Sequence, residues 1–257
     1  MFDIIAVGSA TVDVFVNTEY NKLIRNKKTT LQAYPVGGKL LIEHLHFTSG
    51  GGGTNTAVAF KKLGLKTAFL GKLGNDLNAD LVSHDLQEQG ITNLSARGSN
   101  EDTGFSIILD SIGHDRTILT KKGANNTLKI QNIKLKKLKT KWMYFSTMMQ
   151  DSYQTLKTIA NFAKKNNIKI AMNISQYLAE KGIPYLKPIL KNVAIFILNK
   201  EEALTLTKQK TVKNAYKKLH NLGIPILSIT DGKNGASASD GKNIYTIKPH
   251  KVKVVET

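Results

Sequence analysis

Short apolar runs alternate with helically patterned stretches along most of the chain. Residues 4–7, 67–70, 143–145, 168–172, 194–198 and 226–229 are apolar with little polar alternation, the pattern of strands buried on both faces. Between them, residues 54–63, 79–89, 153–166, 200–207 and 212–222 read as helices. Gly64, Gly90 and Gly223 follow three of these stretches, where a helix end favours glycine. This alternation predicts the α/β class: a mostly parallel sheet with helices on both faces.

Two regions break the rhythm. Residues 11–48 and 92–120 lack a helical pattern and carry extended segments at 40–47 and 105–109. They predict a small β-layer apart from the main sheet, suited to cover a ligand cleft as a lid. The chain is otherwise read as one domain over residues 1–257, without repeats or an evident linker. Residues 244–247 and 252–255 read as further strands with no helix after them. A parallel sheet needs cover on both faces, so the domain is expected to be unfinished at this end.

Composition narrows the partners. The chain has 257 residues, 41% hydrophobic, and no cysteine, which excludes disulfides and thiolate metal sites and fits a reducing cytoplasm. No signal peptide or membrane-spanning run is visible, and residues 193–198 form the longest purely apolar stretch found. The net charge is +18, carried almost wholly by lysine; Arg25, Arg97 and Arg116 are the arginines. Nucleic-acid readers draw on arginine's planar fork, and the cluster Lys134, Lys136, Lys137, Lys139 and Lys141 has no aromatic before Trp142. The charge is therefore read as a solvated surface, with nucleic acid disfavoured as a partner. Such a field also suits an anionic small substrate. The six histidines suggest no metal site: His44 and His46 would share a strand face, without an evident third ligand.

The most informative stretch is Ser49-Gly50-Gly51-Gly52-Gly53-Thr54-Asn55-Thr56-Ala57. Its glycines leave backbone amides unshielded where a helix begins, so a ligand can approach the backbone closely. It is neither a Walker loop, lacking a following Lys-Ser or Lys-Thr pair, nor a dinucleotide fingerprint. Taken alone, such a glycine run is more often a flexible turn.

With its surroundings it resembles the first signature of the ribokinase-like (PfkB) carbohydrate kinases. Gly50 to Gly53, Asn55, Ala57, Gly64 and Gly74 match that signature in type and spacing. Gly8-Ser9 with Asp13, the Gly71, Gly74 and Asp76 turn, Thr103-Gly104, Arg116-Thr117 and Gly123-Ala124-Asn125 follow in the family's order. So do Asn173, Asn199-Lys200-Glu201-Glu202 and Thr230-Asp231-Gly232 with Gly235.

The resemblance implies a ribokinase-like fold, a central mostly parallel sheet with flanking helices and a small β-lid, and ATP-dependent phosphotransfer to a hydroxyl of a small sugar or nucleoside. It implies that Asp13, Gly52, Gly53 and Asn55 bind the acceptor. Asn173, Thr230 and Gly232 would serve the nucleotide and its phosphates, and Asn199 and Glu202 would reach Mg2+ indirectly. Each residue has a plainer reading beside it: a loop aspartate for Asp13, a helix cap for Asn55, a helix-dipole partner for Glu202, a structural turn for Thr230 and Gly232. Asn173 departs from the pattern, since Ile174 and Ser175 follow it in place of proline and glycine. The family's second signature supplies a glycine-rich anion hole and a catalytic aspartate. Residues 254–257 look like its lead-in, so the base is expected beyond Thr257 and this polypeptide alone is expected to turn over poorly. The alternative is a non-catalytic sugar- or nucleotide-binding protein of the same fold. Pairing of two copies through the lid is a further implication of the family.

Overall fold

The structure, a computed structural model, describes residues 1–18, 22–25, 30–110 and 116–250. The segment 252–255, read above as a strand, and the lead-in at 254–257 lie outside the described residues.

The N-terminal part contributes β1 (Phe2–Val7), β2 (Thr11–Asn17), β3 (Lys22–Arg25), β4 (Thr30–Ala33), β5 (His44–Gly50) and α1 (Gly52–Lys62). Next come β6 (Thr67–Leu70), β7 (Lys72–Leu73), α2 (Leu77–Glu88), β8 (Thr92–Asn93), β9 (Ala96–Arg97), β10 (Gly104–Asp110) and β11 (Arg116–Lys121). The C-terminal part adds β12 (Thr140–Phe145), α3 (Gln150–Lys165), β13 (Lys169–Asn173), α4 (Gln176–Leu190), β14 (Ile195–Asn199), α5 (Lys200–Thr207) and α6 (Val212–His220). Three strands follow: β15 (Ile226–Thr230), β16 (Ala236–Ser239) and β17 (Ile244–Ile247).

The main sheet has the order β17-β16-β15-β14-β13-β12-β1-β6-β8. Pairing is parallel from β15 through to β8 and antiparallel only where β16 and β17 extend the edge. Because β1 is buried on both faces, its side chains divide between two cores. Ile5 and Val7 pack with Met143, Phe145 and the apolar stripes of α3 to α6, while Ala6 packs with Phe69, Ala57 of α1 and Val82 of α2. This two-sided burial explains the unbroken apolar runs.

The lid is a four-stranded sheet, β11-β10-β2-β5. Its C-terminal segment begins later than residue 92. Thr92–Asn93 pairs with β6 at the edge of the main sheet and Ala96–Arg97 pairs with β7, so only Gly104 onward belongs to the lid sheet. Thr103 and Asp76 form the joint. The Asp76 carboxylate caps α2 through Ala79 N at 2.9 Å and accepts from Thr103 N at 2.7 Å and Thr103 Oγ at 2.6 Å. Burial pushes the Asp76 carboxyl up, but these bonds together hold it below the usual carboxylate range. Beside it, the buried Lys72 ammonium meets Glu101 at 2.5 Å and Thr127 at 3.0 Å.

Candidate functional site

Parallel pairing puts the C-terminal ends of β1, β12, β13, β14 and β15 along one edge of the sheet, where open α/β sheets place their ligands. The glycine turn sits over the first of these ends. Gly51 adopts φ 103 and ψ 145, a conformation effectively reserved for glycine. Ser9, just past β1, gathers the amides that follow: Gly53 N and Thr54 N donate to its carbonyl at 2.9 and 3.4 Å, and Gly52 N donates to its Oγ at 3.1 Å. A Cβ on Gly53 would stand 2.7 Å from the Phe69 ring and 2.8 Å from the Gly8 carbonyl carbon. The start of α1 can therefore abut β1 only through facing glycines.

These contacts sort the expected acceptor residues. The Gly53 amide is buried and already satisfied within the fold, so Gly53 contributes close packing, whereas Gly52 is exposed and lines a cleft. Asp13 stands against the turn: a Cβ on Gly50 would fall 1.9 Å from its Oδ2, and Thr11 Oγ donates to its Oδ1 at 2.9 Å. Asn55 is exposed in the first turn of α1. Asp13 and Asn55 border the turn without lining the cleft itself.

Strand register adds residues that spacing could not reveal. Thr48, Asp13, Ser106 and Thr120 lie side by side across the four lid strands, one from each. Cross-strand partners share a face, so the lid presents a row of a carboxylate and three hydroxyls on the Asp13 side.

The cleft has a volume of 260 Å³, and its lining includes Ser9, Gly52, Lys122, Ser146, Asn173 and Ser175. Asn125 closes its lid end. This buried amide receives Ala10 N at 2.9 Å and donates to Ala10 O at 2.7 Å, tying the loop after lid strand β11 to the loop after β1.

A second, more open groove of 470 Å³ lies over the ends of β14 and β15, lined by Asn199, Lys200, Thr230, Asp231, Gly232 and Lys233. Gly232 has φ 48, and its turn leaves the backbone open to a ligand. Lys200 holds Asp231 at 2.9 Å; that bond keeps the Asp231 carboxyl below its usual range. Asn173 lines the first space, and its Nδ2 donates at 3.1 Å to Ile197 O of β14, the strand whose last residue, Asn199, lines the second.

Asn199 and Glu202 face each other. Asn199 Oδ1 accepts from Glu202 N at 2.7 Å and Glu202 Oε2 accepts from Asn199 N at 2.8 Å, a capping box at the start of α5. Burial pushes the Glu202 carboxyl up, against the lowering effect of the Asn199 N–H. Mg2+ prefers several waters and a few oxygen ligands, so this pair fits it only through intervening water. Elsewhere, His84, Asp85 and Glu88 on α2 carry ligand atoms within 4.8 Å of one another, with His84 and Glu88 exposed.

The sequence profile of the pfkB family carbohydrate kinases matches residues 1–257, and the chain belongs to that family. It is 24% identical over 203 residues to an uncharacterized sugar kinase of Archaeoglobus fulgidus, spanning 78% of this chain and 80% of that one. It is 26% identical over 231 residues to a ribokinase of Haemophilus influenzae, spanning 86% and 73%. The fold is similar to that of Arabidopsis thaliana ribokinase complexed with ribose and ATP, with TM-score 0.75, 21% identity, and coverage of 96% of this chain and 77% of that one. The ribokinase-like fold expected from the sequence is thereby established.

Proposed function

We propose that the protein transfers the terminal phosphoryl group of ATP to a hydroxyl of a small sugar or nucleoside, within a cytoplasmic setting. One observation carries this reading: a cleft at the glycine turn, lined by Asn173 at the end of β13, and an open groove at the ends of β14 and β15 lie over neighbouring parallel strands on one edge of the sheet. Phosphoryl transfer needs an acceptor and a donor held in line, with charge on the moving group stabilised. The similar fold of a ribokinase complexed with ribose and ATP supports a sugar and a nucleotide as the two ligands.

In this reading the acceptor reaches from the cleft past Gly52 to the glycine turn, where Asp13 accepts hydrogen bonds from its hydroxyls, assisted by the hydroxyl row on the lid and by Asn55. Gly52 lets the acceptor approach the backbone. Thr230, Gly232 and Lys233 meet the nucleotide, and Asn173 orients the phosphates between the two spaces. Mg2+, when bound, neutralises phosphate charge, with Asn199 and Glu202 holding its waters. Asp231 and Asp240 are poor bases for the acceptor hydroxyl. Asp231 is paired with Lys200, and Asp240 is held below its usual range by the Asn243 and Lys242 amides.

The test is equilibrium binding of ribose and of a non-hydrolysable ATP analogue to the 257-residue chain. Asp13→Ala is expected to weaken sugar binding by roughly tenfold or more, as lost hydrogen bonds to a charged group do, and to leave nucleotide binding unchanged. Equal sugar affinity in the variant overturns the reading.

A further inference from the structure

The cleft beside the glycine turn has a charge character that hydroxyl recognition does not explain. Lys122 is the charged side chain in its lining; among the described residues no carboxylate lines it. The other lining groups are hydroxyls, amides, backbone, two methionines and Tyr177. Lys122 is half-buried, and its Nζ lies 6.0 Å from the centre of the Tyr177 ring.

Neighbouring cations are neutralised. Lys121 pairs with Asp102, Lys129 with Asp151, Lys72 with Glu101 and Lys200 with Asp231. Lys122 has no such partner among the described residues. Across the cleft, Ser175 precedes α4 with a buried Oγ that makes no hydrogen bond, while its amide donates to Thr147 Oγ at 2.6 Å. An unpaired cation and an idle hydroxyl, lining one cavity without a competing acid, are complementary to a small anion.

The anion's source follows from position. Lys122 directly follows β11, two residues past Thr120 of the lid's polar row, and shares its cavity with Gly52 on the acceptor side. The open groove over β14 and β15 has its own cation, Lys233, beside the paired Lys200. We propose that the acceptor itself bears a carboxylate or phosphate, and that Lys122 is the residue that selects for it. This rests on the sugar-kinase reading above and narrows it to sugar acids or sugar phosphates.

Calorimetric titration with gluconate, ribose 5-phosphate, neutral ribose and a non-hydrolysable ATP analogue tests it. At least one of the two anionic sugars is expected to bind more tightly than ribose. Lys122→Met should weaken that sugar by about tenfold to a hundredfold, the worth of a charge-assisted hydrogen bond, while ribose and the nucleotide analogue are unaffected. Lys122→Arg should largely restore it. Ribose binding as tightly as both anions, or an anionic sugar indifferent to Lys122→Met, overturns the inference and leaves the sugar-kinase reading standing. A loss confined to the nucleotide analogue also overturns it, by assigning Lys122 to the donor's phosphates. Failure of every sugar to bind removes the underlying reading as well.

Discussion

At the scale of single residues, Glu202 shows how a structural duty would compete with the one proposed for it at magnesium's waters. Its carboxylate completes the α5 capping box and is 7% exposed. Burial raises its pKa, so the folded state favours the protonated form more than the unfolded chain does. The sign follows: its contribution to stability is fully present below the ordinary glutamate range and is lost as pH rises through the raised folded value. At neutral pH the ionised group therefore costs stability. Glu202→Gln keeps an acceptor for the Asn199 N–H and removes the charge. It is expected to raise the melting temperature at neutral pH and to leave it little changed in acid, as thermal unfolding across pH will read. If the residue also holds magnesium's waters, the same variant will need more Mg2+ to bind nucleotide. An Mg2+ dependence identical to wild type would leave Glu202 as a cap alone. The sequence pattern could name this residue, but not weigh its cap against the proposed role, because the capping contact depends on the side chain turning back toward Asn199.

At the scale of elements, most of the core was legible and the connections were not. Thr67–Leu70 and Lys200–Thr207 agree with the expected bounds, and β1, β12, β13, β14 and β15 differ from them by only a few residues. Helix α4 was not among the expected helices, and Gly182, Pro184 and Pro188 interrupt its pattern. Gly182 does break the backbone, at φ 77, but Pro184 then sits near the start of a second helical segment, where its missing N–H costs little. Tyr153 of α3 clamps that segment, stacking on Tyr185 at 4.3 Å and donating to its carbonyl at 2.5 Å. The polar row on the lid was invisible for a different reason. Thr48, Ser106 and Thr120 acquire meaning only through register with Asp13, and register is set by long-range pairing. The joint at Asn125 lies between: the sequence marked it, and the structure gives it a task. Asn125→Ala leaves the Ala10 N–H and C=O without their buried partner, for an expected loss of roughly 2–4 kcal/mol in denaturant unfolding. A loss below about 0.5 kcal/mol, typical of a surface change, would mean that the two loops are held together by other contacts.

At the scale of the whole molecule, the lid poses the question of what covers it. Its outer strands carry apolar side chains in contact with solvent. Leu45 and Phe47 on β5 are 51% and 49% exposed, and Ile118 and Leu119 on β11 are 49% and 54% exposed. Edge strands of natural sheets are usually blunted with charge, proline or a covering element, and clustered exposed apolar residues mark association surfaces. A second copy of the chain is the occupant we propose, because an interface between identical surfaces covers both lids at once. The net charge of +18 opposes such pairing at low ionic strength and is screened as salt rises. Association should therefore strengthen with salt, whereas nucleic-acid binding through the lysine surface would weaken steeply. Sedimentation of the chain at micromolar concentration is expected to show a dimer at moderate salt, and Phe47→Glu combined with Leu119→Glu is expected to give a folded monomer. Wild-type protein that stays monomeric as both salt and concentration increase would leave the lid strands exposed for another purpose.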